Sequence, residues 1–97
     1  MNFEGVVTAK RDYEGVLTHL KVHPVRNGEA RAPEARTKKD VARDLLRGDR
    51  VYYTGRPDSD GLTLVSRLRV VTSGSEAYLR SDQDKKPEDS LPDLPKF

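Results

Sequence analysis

Residues 3–11 (FEGVVTAKR) are rich in β-formers and carry no helical stripe. Residues 15–23 (GVLTHLKVH) alternate, which assigns Val16, Leu20 and Val22 to one face and Leu17, His19 and Lys21 to the other. Asp12-Tyr13-Glu14-Gly15 lies between them, with Gly15 where a positive φ is expected. The pattern predicts a β-hairpin, and Gly5 early in its first strand marks a bulge. Residues 24–36 read as the longest loop, punctuated by Pro24, Asn27-Gly28 and Pro33.

The period then changes. Val41, Ala42, Leu45 and Leu46 recur at helical spacing. Thr37 is a good N-cap, Asp40 stands where a capping box has its acid, and Gly48 suits the position just past the last turn. A helix of about ten residues is too short to stand alone, so it must lie on a sheet. Residues 50–54 predict a third strand, 55–61 a turn-rich loop and 62–71 a fourth strand. Simple hairpin pairing sets Tyr53 opposite Leu62 and Val51 opposite Leu64, facing the helix. Tyr52, Val65, Arg67 and Arg69 then point to the open face. Glu76 to Arg80 supplies a fifth strand if it joins.

The expected fold class is α+β: a small antiparallel sheet of four to five strands in the order ββαββ, with one short helix packed on one face. The alternative is a small barrel of the oligonucleotide-binding (OB-like) type. Residues 48–71 look like its closing strands, but it needs a third strand before the helix.

Composition sharpens the boundaries. The chain has 97 residues and no Cys, so disulfides and thiolate zinc sites are out. No apolar run approaches the ~18 residues of a membrane helix. The first ten residues include Glu4 and no apolar stretch, so no secretory signal is read and a cytoplasmic location is expected. Residues 81–97 (SDQDKKPEDSLPDLPKF) hold three of the six prolines and only Leu91, Leu94 and Phe97 as large apolar residues. They are expected to form a flexible acidic tail after a single domain at 1–80. The tail has three Lys against five acids, and the body fifteen basic against eleven acidic residues. The net charge of +2 therefore divides into a basic body and an acidic tail. A body of that size has no room for a deep cleft beside a full core, which argues against an enzyme.

Candidate chemistry is sparse. His19 and His23 would stand about 13 Å apart on a strand, too far to share a metal. No hydrolase elbow, Walker loop or dinucleotide fingerprint occurs, no EF-hand fits the loop from Asp58, and no cofactor is implied. Arg36, Thr37, Lys38 and Lys39 at the helix start form a candidate anion site, because lysines in the first turn oppose the macrodipole. With Tyr52, Arg67 and Arg69 on the open sheet face they extend to a candidate single-stranded nucleic-acid surface. Leu91, Leu94 and Phe97 could dock in a groove or fold back on the sheet.

Several segments recur in a recognisable order. Thr8-Ala9-Lys10-Arg11 opens it, Arg36 to Val41 starts the helix, and Gly48 then Tyr52-Tyr53-Thr54 follow. Tyr78-Leu79-Arg80-Ser81, Asp84 and Ser90-Leu91-Pro92-Asp93-Leu94-Pro95 close it. The chain resembles a bacterial family of small domains of unknown function, with Ser90 where that family usually has Asn and Gln83 where it usually has Pro. The resemblance implies a small cytoplasmic bacterial domain and assigns no catalytic residues. The resulting expectation is a non-enzymatic interaction module, monomeric or weakly dimeric, with an unknown protein partner. Single-stranded nucleic acid is the alternative partner.

Overall fold

The computed structural model describes residues 3–59 and 61–91. Strands β1 (Phe3–Arg11) and β2 (Leu17–Arg26) form the expected antiparallel hairpin. The Asp12 carboxylate closes its turn, accepting from the backbone N–H groups of Glu14 and Val16 at 2.9 Å each. Two register shifts change which side chains reach the core. Val7 is the extra residue opposite β2, so Val6 and Val7 are both buried. Thr18 is the extra residue opposite β1, and the phase flips there: Leu17 is buried while Val16 is half exposed. Strict alternation had assigned those two the other way round.

Gly5 does not mark a bulge. It makes room: a side chain there would collide with a Leu62 methyl, and one at Gly55 would come within 2.9 Å of the other. Gly5→Val is expected to cost about 1–3 kcal/mol by overpacking. Part of that loss should return in the double variant Gly5→Val/Leu62→Ala. Urea unfolding of the three variants is the check, and purely additive losses would refute the contact.

Residues 24–36 are not one loop. β2 runs through Pro24 to Arg26, and Asn27-Gly28 turns the chain into β3 (Glu29–Ala30). Asn27 and Gly28 both have positive φ, 55° and 82°, as the tight hairpin turn favoured by Asn-Gly requires. β4 (Glu34–Thr37) also pairs with β2 and feeds directly into helix α1 (Lys38–Arg47). The helix ends as predicted: the Thr37 hydroxyl accepts from the Asp40 N–H at 3.1 Å, and Gly48 takes the left-handed cap at φ 72°.

After the helix, β5 (Tyr52–Asp58) lies parallel to β1. The sheet is therefore mixed rather than antiparallel. The helix carries the chain across the sheet face instead of turning it back, which brings the next strand in parallel. β6 (Gly61–Arg67) pairs with β5 as far as Asp58–Gly61, so most of the expected loop 55–61 is strand. Gly55 and Pro57 look like loop residues, yet both fit in β5. Pro57 pairs with Leu62 one step from the closing pair Asp58–Gly61, at a position of the ladder that needs no N–H. This lengthening shifts the register. Tyr53 stands opposite Arg67, not Leu62, and Tyr52 faces the core rather than the open face.

The expected strand 62–71 breaks at Leu68, whose N–H donates to the Tyr52 carbonyl at 2.8 Å. Beyond it, β7 (Arg69–Ser73) and β8 (Glu76–Arg80) form a separate hairpin. The main sheet runs β3-β2-β1-β5-β6, with β4 also on β2. Its outer strands do not pair with each other, so it is a curled half-barrel rather than a closed OB-like barrel. The class is α+β, with eight strands among the described residues and one helix. Helix α1 contacts both β2 of the sheet and the β7–β8 hairpin. Val6, Leu20, Val22, Val41, Tyr52, Leu68 and Leu79 form the core between them, joined by Leu91 from beyond the last strand. No helix among the described residues is long and apolar enough to cross a membrane.

Candidate functional site

Helix α1 has two apolar faces of unequal fate. Val41 and Ala42 are buried, and Leu45 packs against the core cluster. Leu46 is 57% exposed. Beside it, Lys39, Arg43 and Arg47 recur every four residues and so share one flank of the helix. That flank borders a groove of about 820 Å³ between α1, the start of β2 and the β7–β8 turn. Leu17, Ala42 and Ala77 line its interior, with the exposed side chains of Val16 and Leu46 at its walls. Four cations, Lys38, Lys39, Arg43 and Arg47, border it against one carboxylate, Glu76. Arg43 also lies 3.3 Å from Asp40, but that exposed pair is worth little. The groove thus combines unsatisfied apolar surface with positive charge.

The residues singled out in the sequence separate into three places. Thr37, Lys38 and Lys39 border this groove. Thr37 is occupied as the helix cap. Lys38 donates to Asp89 at 2.8 Å and sits 5.0 Å from the centre of the Tyr78 ring. A carboxylate of the chain itself therefore meets the helix-start lysine.

Arg36 turns inward instead. Its guanidinium binds Glu34, donates to the Tyr52 hydroxyl at 2.8 Å and lies 3.6 Å from Glu4. Tyr52 is fully buried, and its hydroxyl donates to Asp44 at 2.7 Å. Burial, reinforced by Asp44, pushes the Tyr52 pKa up to about 12, so the phenol stays protonated and keeps donating into the alkaline range where a free tyrosine ionises. Glu4, 1% exposed, accepts from Arg26 at 2.8 Å and Arg50 at 2.9 Å. Three carboxylates (Glu4, Glu34, Asp44) thus meet three guanidiniums (Arg26, Arg36, Arg50), and no net charge is left over for a ligand. This network ties β1, β2, β4, α1 and the start of β5 together. Buried, Tyr52 offers no ring for a base to stack on.

Arg67 and Arg69 lie on the other flank of the helix, around a depression of about 480 Å³ shared with Leu45, Leu68 and Val70. Arg69 donates to Gln83. His23 Nδ1 pairs with the Arg31 carbonyl at 2.9 Å, and the buried Nδ1 of His19 has no hydrogen-bond partner. No group of three or more His, Cys, Asp or Glu side chains among the described residues could hold a metal ion.

Composition predicts a folded unit ending at residue 80. Leu91 is 2% exposed and belongs to the core cluster; Leu94 and Phe97 lie outside the described residues. Arg80 holds the intervening turn. It grips Asp82 through two hydrogen bonds of 2.7 and 2.8 Å and donates to the Glu88 carbonyl at 3.2 Å. That contact holds the Asp82 carboxyl below the usual carboxylate range.

The groove residues Val16, Leu46, Arg43 and Arg47 were not among the sequence candidates. The cations carried a signal in their four-residue spacing. Leu46 carried a weaker one, since it trails the stripe that Val41, Ala42 and Leu45 complete. Comparison with protein-family models, curated proteins and solved structures gives no match.

Proposed function

We propose that the chain is a non-enzymatic interaction module whose groove beside α1 receives an apolar segment with acidic side chains from a partner protein. The observation that carries this reading is the pairing of exposed Leu46 and Val16 with the cations Lys39, Arg43 and Arg47 around one concavity. Apolar side chains would anchor the segment, and the cations would orient it and speed its encounter. The buried charged groups support a non-enzymatic role: Arg80 is paired with Asp82, and Glu4 is held by Arg26 and Arg50 through Oε1, with Arg36 3.6 Å from its otherwise unbonded Oε2. The Tyr78-Leu79-Arg80 and Ser90-Leu91-Pro92 segments support a bacterial, cytoplasmic setting through the family they resemble. Nucleic acid remains the rival partner through Arg67, Arg69 and the helix cations, without Tyr52 as a stacking ring.

A panel of acidic, leucine-containing peptides, titrated at two salt concentrations, tests the reading. Leu46→Glu and Arg47→Glu are expected to weaken binding at least about tenfold each, since a lost anchor or charge contact is worth more than ~1.4 kcal/mol. Both side chains are exposed, so the fold should be retained. Binding of single-stranded RNA or DNA but of no peptide would transfer the function to nucleic acid.

A further inference from the structure

The outer edge of β8 is occupied by the chain's own segment Asp89–Leu91. Ser90 forms a parallel bridge with Arg80. Its N–H donates to the Leu79 carbonyl at 2.9 Å, and its carbonyl accepts from the Ser81 N–H at 3.0 Å. Asp89 accepts from the Leu79 N–H and from Lys38 Nζ, both at 2.8 Å. Leu91 fills a space in the core. The contacts divide as in strand addition: main-chain bonds supply adhesion, while one charged and one apolar subsite supply selectivity. The connection from residue 82 to residue 88 is exposed throughout, and from that side the segment is held by the Arg80 contacts and the Arg69–Gln83 bond rather than by buried apolar packing.

We propose that the β8 edge is a recognition slot for an extended peptide with an acidic residue two positions before a leucine. A partner protein carrying such a segment takes the slot by displacing Asp89–Leu91. The acid must meet both the Leu79 N–H and Lys38, which a neutral amide does with loss of the charge pair. The leucine must enter a preformed apolar space that a smaller side chain leaves partly empty. The slot is separate from the groove beside α1 and shares only Lys38 with it, so failure of one leaves the other standing.

The test uses a labelled peptide with the sequence of residues 87–91 (PEDSL), amidated at its C-terminus, and the full chain carrying Asp89→Asn and Leu91→Ala. Saturable binding is expected. It should fall at least about tenfold when the peptide's acid becomes Asn, when its leucine becomes Ala, or when the host carries Lys38→Met. The unaltered chain should bind at least about tenfold more weakly, because its own segment leaves the slot vacant only a fraction of the time. A folded double variant that binds nothing at millimolar peptide overturns the proposal. Should the double variant not fold, amide exchange on the unaltered chain decides. The Leu79 and Ser81 amides should exchange at least about tenfold faster than that of Leu20. Equal protection would mean that the slot never opens short of unfolding, and would overturn it.

Discussion

Leu91→Ala is expected to destabilise the protein by about 2–4 kcal/mol, the usual loss for emptying a packed leucine site. Leu91 stands eleven residues beyond the last strand, yet it packs in one cluster with Leu20, Val41, Leu68 and Leu79. Small domains have only about 5–15 kcal/mol in total, and each kcal/mol moves the melting temperature of a chain this size by about 4–8 °C. The substitution should therefore lower it by roughly 10–25 °C. Deletion after Ser81 should cost more, because Arg80 then loses Asp82 and Glu88, Lys38 loses Asp89, and the β8 edge loses its main-chain partners. Urea unfolding checks both. A Leu91→Ala midpoint within experimental error of the unaltered chain would show that the segment does not contribute to the core.

Glu4→Ala should be the other severe substitution, at about 2–4 kcal/mol. Removing one partner of a buried pair leaves charge without compensation, which typically costs 3–5 kcal/mol. The figure is reduced here because Arg26 and Arg50 are partly exposed and can turn toward water. Arg36 cannot do so as easily, since its guanidinium is pinned among Glu34, Tyr52 and Glu4. The expected order of loss is Glu4→Ala, then Arg36→Ala, then Arg50→Ala. If Arg50→Ala were as costly as Glu4→Ala, the carboxylate would not be the hub.

These two sites mark what the sequence made legible. Local signals are legible. The Thr37 cap, the helix stripe and the Gly48 stop fix α1 because each acts within a turn of its own position. The existence of the first hairpin is equally clear from its β-formers and its Asp12–Gly15 turn, though not which of its side chains face inward. Signals that depend on register are not. One extra residue, at Val7 or Thr18, reverses which side chains face inward, and nothing in the composition announces it. Gly55-Arg56-Pro57 has loop chemistry but lies in β5, because Leu62 needs the space at Gly55 and Pro57 needs no donor there. Taken as a loop, that stretch leaves Tyr52 on an open face; as strand, it turns Tyr52 into the core. The parallel pairing of β5 with β1 follows from the path of the helix across the sheet, a long-range choice with no local mark.

The candidate sites divide in the same way. Lys38 and Lys39 were legible as an unusual charge at a helix start, and they do border the groove. That Asp89 would meet Lys38 was not legible, since 51 positions separate them. Leu91 was visible as an apolar residue in a polar stretch, but the edge that accepts it is formed by another segment.

The seating of Leu91 also sets a schedule for the chain as it is synthesised. Leu91 completes a core cluster whose other members among the described residues are all made earlier. Until Asp89 to Leu91 has emerged, the nascent domain carries a vacant edge on β8, an apolar gap and a Lys38 without its carboxylate. Domains fold as units during synthesis, and unpaired edges are the hazard of the interval. A stall before residue 91 would therefore leave a nearly finished domain in its most adhesive form.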